Sequence, residues 1–245
     1  MNRLEGKTIL LTRTAADSAR WAKRLRTLGA RPIVFPCIRC EPIGDKALAL
    51  EFRQALEEAS WLAVTSRRGV LRAQELLQTD LPSHVKVAAV GPRTAEAAWS
   101  CWGHVDLVAG QGTGRSLAED LAAWHAEQPS SARMRVVVAA AEGGRRGLEE
   151  VLEPLGVQVL RFAVYSTVPA PPEDPRTDLA SEGVDVIFLA SPSAVQGLVA
   201  RAVVPDTAQV ISIGPTTTAA ARAAGLQVAA EARQRDLDGL LEVIS

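Results

Sequence analysis

Six short segments combine small hydroxyl residues, glycines and arginines. They are Thr12-Arg13-Thr14, Thr65-Ser66-Arg67-Arg68-Gly69, Gly91-Pro92-Arg93-Thr94, Glu142-Gly143-Gly144-Arg145-Arg146, Ala190-Ser191-Pro192-Ser193 and Gly214-Pro215-Thr216-Thr217-Thr218. Each follows a short apolar run and precedes a helical stretch, where free backbone N–H groups and the positive end of a helix dipole attract carboxylate or phosphate. At any one segment, serine and threonine as helix caps and glycine as a turn residue explain the pattern. Recurrence at the same kind of place shifts the reading of the whole set toward a large polyanionic ligand. Tyr165 is the sole tyrosine of the chain. A phenol can donate a proton or a hydrogen bond to a reacting oxygen, or simply pack as an amphipathic side chain.

Other chemistries find little support. Cys37 and Cys40 form C-x-x-C, but residues three apart in an extended strand face opposite sides, and Pro42 follows where a redox motif would open a helix. The three histidines, His84, His104 and His125, are scattered, so no metal site is expected. The glycine-rich 110–114 segment, GQGTG, lacks the spacing of a dinucleotide or Walker loop and reads as a loop. No G-x-S-x-G nucleophile elbow occurs.

The charge balance narrows the partners. Twenty-seven basic and 28 acidic residues leave a net charge of −1, without the basic excess of a protein that coats nucleic acid. Lysine occurs only at 7, 23, 46 and 86, so 23 of the 27 basic side chains are arginine. Coding bias accounts for such a skew, and the guanidinium fork also suits carboxylates. No apolar run reaches the ~18 residues of a membrane span, and the opening MNRLEGKTILLTR lacks a signal-peptide core. A cytoplasmic monomer acting on a small molecule is expected.

The elements that must position the six segments alternate along the whole chain. Strand-like runs are expected at Thr8–Thr12, Pro32–Ile38, Trp61–Thr65, Val85–Val90, His104–Val108, Arg135–Ala140, Val157–Ala163, Val184–Ala190, Gln209–Ile213 and Leu226–Ala229, separated by Ala-, Leu-, Arg- and Glu-rich spacers. This is the pattern of βαβ units, and runs such as VVVAA and VIFLA, apolar on both faces, call for a parallel sheet covered on both sides. Ser66, Ser191 and Ser193 are placed as N-caps, Pro92 and Pro215 at first helical positions, and Gly29, Gly103, Gly156 and Gly225 at helix ends.

The chain also repeats itself. Gly91 in VAAVGPRTA corresponds to Gly214 in VISIGPTTT, 123 residues on, and Ser66 in VTSRRGV to Ser191 in LASPSAV, 125 residues on. The unit ending at Gly29 matches the one ending at Gly156, 127 residues on. The connectors Arg39–Asp45 and Tyr165–Asp174 take equivalent places. Two arrangements fit: tandem domains divided near Pro129–Ser131, or halves that exchange their first βαβ units, with the connectors as adjacent crossings.

Taken in order, TILLTR…LGARPIVFPCIRCEP, VTSRRGV, VGPRTA, VYST, ASPSAV and IGPTTTAAARAAG resemble the uroporphyrinogen-III synthase family over nearly the whole chain. The resemblance implies two flavodoxin-like α/β lobes with parallel sheets, joined by a two-stranded linker. Residues 1–38 and 168–245 would form one lobe, 42–164 the other, and 39–41 and 165–167 the linkers. It implies cyclisation of hydroxymethylbilane, a linear tetrapyrrole with eight carboxylates, to uroporphyrinogen III. Water is lost and ring D is inverted through a spiro intermediate, without a cofactor, in a cleft between the lobes. Tyr165 matches the family's linker tyrosine and would assist departure of the hydroxyl. Arg13, Ser66, Arg67, Gly91, Arg93, Thr94, Ser191, Ser193, Gly214, Thr216 and Thr217 would hold the substrate. Transient contacts with neighbouring pathway enzymes would follow. The chain departs from the family at Ala140-Ala141, where many members carry Arg-Gly, and at Arg67-Arg68, where a small or amide residue is common. The rival reading is a non-catalytic two-lobed binding protein for an anionic small molecule, or a degenerate lobe that docks a partner.

Overall fold

The computed structural model describes residues 4–128 and 133–244; Pro129–Ser131, the division point of the tandem arrangement, lies outside them. The chain forms two compact units. One combines the residues up to Cys40 with those from Thr167 onward, and the other runs from Glu41 to Ser166.

The first unit begins with β1 (Thr8–Leu11), α1 (Ala15–Thr27) and β2 (Arg31–Val34), and β3 (Ile38–Pro42) leads out of it. The second contains α2 (Lys46–Glu57), β4 (Trp61–Val64), α3 (Arg67–Leu77), β5 (Lys86–Ala89), α4 (Pro92–Trp102), β6 (Leu107–Val108), α5 (Gly114–Ala126), β7 (Arg135–Ala141) and α6 (Gly147–Leu152), with β8 (Gln158–Pro169) leading back. The first unit then resumes with β9 (Thr177–Asp178), β10 (Val186–Leu189), α7 (Pro192–Arg201), β11 (Ala202–Val203), β12 (Gln209–Ser212), α8 (Pro215–Ala223), β13 (Val228–Glu231) and α9 (Leu237–Glu242).

The main sheet of the first unit has the order β13-β12-β10-β1-β2, with every pair parallel. The second unit's sheet runs β6-β5-β4-β7-β8, again all parallel, with β3 added beyond β8. Set side by side, the orders correspond strand for strand: β1 with β7, β10 with β4, β12 with β5, and β13 with β6. The central strands β1, β4 and β10 are buried at all four positions. This is why they read as unbroken apolar runs: helices cover both faces. Fully burying one such Leu or Phe side chain is worth roughly 1.5–3 kcal/mol.

Helix faces follow the 3.6-residue period. In α3, Gly69, Val70, Ala73, Leu76 and Leu77 are buried; in α1, Ser18, Trp21, Ala22 and Leu25 are. Ser66 caps α3 and Ser191 caps α7, each accepting the backbone N–H three residues on. Pro92 and Pro215 open α4 and α8. Gly103 ends α4 at φ 74°, a left-handed conformation that a Cβ disfavours, and gives its N–H to the Trp99 carbonyl.

Several boundaries differ from the sequence reading. Ser193 is not an N-cap; it is the second residue of α7, and its hydroxyl lies 3.0 Å from Ser191 Oγ. The run expected from His104 is a strand only at Leu107–Val108, because the Asp106 carboxylate takes the Val87 N–H at 2.7 Å. Asp185 does the same to the Thr8 N–H, also at 2.7 Å, and β10 starts one residue later. Ile38 belongs to β3 rather than β2; Pro36, which has no N–H, lies in the break between them. Across the connectors, Ile43 N–H donates to the Val164 carbonyl and Ala170 N–H to the Cys37 carbonyl. That pairing sets β3 and β8 antiparallel. The two-residue pair β9–β11 has no periodic signal to read.

Close packing within the first unit depends on Gly197 of α7. A Cβ there would lie 1.7 Å from the Cys37 carbonyl oxygen. Gly197→Ala is expected to destabilise the protein by about 3 kcal/mol or more, read by urea unfolding. A loss under ~0.5 kcal/mol, the usual size for a neutral surface change, would contradict this packing.

Candidate functional site

In a parallel sheet every strand ends at the same edge, and ligands bind beyond the carboxyl ends. The topology sorts the six segments by unit. Thr12–Thr14, Ala190–Ser193 and Gly214–Thr218 follow β1, β10 and β12 in the first unit. Thr65–Gly69, Gly91–Thr94 and Glu142–Arg146 follow β4, β5 and β7 in the second. Three segments therefore share each sheet edge.

In the second unit, β8 runs parallel to β7 and brings Tyr165 opposite Ala141, with an irregularity at Ala140/Ala141. Tyr165 is buried, and its carbonyl accepts the Glu142 N–H at 2.8 Å. Its hydroxyl oxygen lies 3.1 Å from Ser66 Oγ. Ser66 Oγ also accepts the Gly69 N–H at 3.0 Å, so one side chain both caps α3 and holds the phenol. The serine has one hydrogen and two lone pairs. If it donates to the phenol oxygen, the phenol hydrogen is left to point at a ligand.

This arrangement depends on Gly69. A Cβ there would lie 2.8 Å from the Ala139 carbonyl oxygen of β7 and 3.3 Å from Ser66 Oγ. Only glycine lets the first turn of α3 sit this close to the β7 backbone. Arg72, three positions later in α3, donates from Nε to the Val164 carbonyl and from Nη2 to the Ile43 carbonyl, both at 3.2 Å.

The remaining candidates in this unit divide by exposure. Arg67 and Arg93 are exposed, whereas Gly91 and Thr94 are buried. The Gly91 and Gly112 loops adjoin; a Cβ on Gly91 would lie 3.7 Å from Gly112 Cα. Residues 110–113 form a loop, and Thr113 caps α5, which opens at Gly114. The Glu142–Arg146 loop is tied to the body of the unit by Arg161, which donates to the Arg145 carbonyl at 3.0 Å and to both oxygens of Glu149. Glu149 is only 3% exposed. Burial alone would raise its carboxyl, but hydrogen bonds and charge from Arg161, a backbone hydrogen bond and the nearby Arg146 outweigh it, and the group is held below its ordinary range.

In the first unit, Thr12 Oγ1 donates to the Phe188 carbonyl at 2.7 Å and is fully buried, which makes it a brace between β1 and β10. Arg13 stacks on Trp21, with its guanidinium carbon 4.8 Å from the ring centre. Ser191 and Ser193 are half-buried. Thr216 is exposed, while Gly214 and Thr217 are buried. Thr218 braces this loop: its hydroxyl lies 2.5 Å from Ser212 Oγ and donates to Glu231 Oε2 at 2.5 Å. Sequence reasoning missed the Arg161–Glu149 pair, the Thr218–Glu231 pair and the role of Arg72. Each joins elements by tertiary packing and follows no local spacing.

Cys37 is buried, and desolvation pushes its thiol up to about 12 despite the nearby Arg201, so it is no thiolate nucleophile. Among the described residues, no three His, Cys, Asp or Glu side chains group as a metal site would require. No helix among them is long and apolar enough to cross a membrane.

The structure thus defines an α/β protein of two units with mostly parallel sheets and hydroxyl- and amide-rich loops at the carboxyl edge of each. Comparisons with known proteins narrow that class. The family described as uroporphyrinogen-III synthase HemD matches residues 19–242. A uroporphyrinogen-III synthase of Synechococcus elongatus is 29% identical, with 98% of this chain and 95% of the relative aligned. A porphyrin biosynthesis protein HemD of Ruminiclostridium josui is 25% identical over 98% of this chain but only 49% of its own length. The fold is also like that of crystal structures of uroporphyrinogen III synthase from Thermus thermophilus (TM-score 0.55, 20% identity, 97% of this chain and 96% of that one) and from Helicobacter pylori (TM-score 0.55, 13% identity, 97% of each). The chain belongs to the uroporphyrinogen-III synthase family, cyclising lyases of tetrapyrrole synthesis.

The Glu149 ion pair generates a pH prediction. A carboxyl held below its ordinary 4.5 contributes stability that is present above that value and lost as pH falls through the folded value. Glu149→Gln should cost about 3 kcal/mol at neutral pH, and its gap from the wild type should narrow as pH falls from 4.5 through the lowered folded value. Thermal melts across that range read the difference; a gap that stays constant with pH would contradict it.

Proposed function

We propose that this chain converts hydroxymethylbilane to uroporphyrinogen III, with Tyr165 as the group that acts on the departing hydroxyl. The observation that carries the reading is the buried Tyr165 phenol, held 3.1 Å from Ser66 Oγ at the carboxyl edge of a parallel sheet. In this reading the phenol hydrogen bonds to the substrate's terminal hydroxyl as its C–O bond breaks. The oxygen takes the phenol's proton and leaves as water while the pyrrole nitrogen supplies the electron pair, and loss of the pyrrole N–H proton, which returns to the phenolate by way of solvent, gives the azafulvene. The substituted carbon of ring D attacks the azafulvene carbon to form a spiro intermediate, which fragments and recloses with ring D inverted.

Left alone in water, the azafulvene closes to the type I isomer, so the main catalytic task is to hold the chain in one geometry. That agrees with the absence of a dense cluster of acids and bases in the six segments. The eight carboxylates suit the exposed Arg67, Arg93 and Thr216, the half-buried Arg13, Ser66, Ser191 and Ser193, and the backbone N–H groups beside Gly91 and Gly214, while the Thr94 and Thr217 N–H groups close those turns onto the Gly91 and Gly214 carbonyls. We take the enzyme to work as a cytoplasmic monomer, without a cofactor, in transient contact with neighbouring pathway enzymes.

The test is chromatographic. Freshly generated hydroxymethylbilane is supplied, the products are oxidised, and the uroporphyrin isomers are separated. Type III in excess over a no-enzyme control is the expected result; type I alone from folded protein would favour the binding-protein reading. Tyr165→Phe should lower kcat for type III by ~100-fold with little change in KM. Unchanged turnover would remove the role given to the phenol while leaving the family and fold intact.

A further inference from the structure

We propose that Arg72 is a positioning residue for the reaction, acting through Tyr165 rather than on the substrate. This rests on the reading of Tyr165 given above. The guanidinium reaches two carbonyls at once. Nε bonds Val164, the residue immediately before Tyr165, and Nη2 bonds Ile43, both at 3.2 Å. Those two residues are themselves joined, Ile43 N–H donating to the Val164 carbonyl at 3.1 Å. The remaining nitrogen, Nη1, pairs with Glu75 one turn further along α3.

Arg72 thus closes a clamp whose other jaw is already on α3. Ser66 holds the phenol oxygen, and Arg72 holds the backbone just before the ring. The Glu142 N–H fixes the Tyr165 carbonyl on the side of β7. With all three in place the tyrosine is held at its tip and on both sides of its backbone. Without Arg72, the buried Val164 carbonyl loses one of its two donors, and the strand that carries Tyr165 stays tied to the α3 end only through the phenol.

The choice of arginine has a geometric reason. Two carbonyls, one on β8 and one just past the end of β3, are met by two N–H groups in a fixed fork. Lysine keeps the charge and the partner Glu75, but its three N–H groups radiate from one atom and cannot reproduce the planar fork. In the matching position of the first unit, 125 residues on, the chain has Gly197. The clamp is therefore a feature of the second unit alone, the unit that carries the tyrosine.

The test is a double-mutant cycle on the full chain, using hydroxymethylbilane and the type III assay. Arg72→Lys is expected to lower kcat about tenfold, a part of the ~100-fold that a misplacement of 1 Å costs, with KM within about twofold. In a Tyr165→Phe background the same substitution should have no further effect on kcat, because the group it positions is gone. A merely structural arginine would give the same fold-loss in both backgrounds, and that result would overturn the proposal. So would an Arg72→Lys enzyme with wild-type kcat, or one whose KM rises while kcat holds, which would place the arginine on the substrate. Should Tyr165→Phe alone prove fully active, the reading of the phenol fails. The Arg72 proposal then fails with it if Arg72→Lys still lowers kcat, since the loss cannot pass through the hydroxyl. Arg72→Ala extends the series where it folds; Arg72→Lys carries the test where it does not.

Discussion

At Gly69 the first turn of α3 lies against the backbone of β7, and there is no room for a methyl group between them: the nearest atom, the Ala139 carbonyl oxygen, is 2.8 Å from where a Cβ would stand. That approach sets the height of α3 above the sheet. It places Ser66, three residues earlier, within hydrogen-bond distance of the Tyr165 phenol, and Arg72, three residues later, within reach of the Val164 and Ile43 carbonyls. The tyrosine is then not a side chain that happens to face the sheet edge. Its tip and backbone are fixed by one helix, and the place of that helix is fixed by one missing methyl group.

The two units are built from the same strand order, yet they use it differently. The counterpart of Gly69 is Ala194, which carries the Cβ that Gly69 cannot. The counterpart cap, Ser191, bonds to Ser193 within its own helix, whereas Ser66 bonds to a residue 99 positions away. The tight glycine of α7 is Gly197, and it meets the Cys37 carbonyl in the segment leading to β3 rather than a central strand. In the first unit, Thr12 and Thr218 use their hydroxyls in internal braces to Phe188 and Glu231. Arg13, Ser191, Ser193 and Thr216 keep exposed surface at its carboxyl-edge loops.

The central strands were legible because burial on both faces leaves unbroken apolar runs, and the serine caps because the cap hydrogen bond is local. The strand ends were less so. Asp106 and Asp185 each take a backbone N–H of a neighbouring strand, and nothing in the sequence near either residue announces it. The connectors, rich in proline and charge, carry no strand signal of their own, yet the segment after Val164 pairs with β3. Tyr165 drew notice as the single tyrosine. What holds it could not be read, since the partners of the phenol and of the preceding carbonyl come from a helix roughly a hundred residues earlier. Ser193, read as a cap, lies inside its helix because Pro192 already fills the first position there.

Control of the phenol by the seat of α3 is the central claim. The most direct measurement is kcat for type III formation by Gly69→Ala, taken with a crystal structure of the variant. The expected result is that α3 is displaced from β7, that the Ser66–Tyr165 hydrogen bond is broken, and that kcat falls toward the level of Tyr165→Phe while the second unit remains folded. A displaced helix with the kcat of the wild type would contradict it.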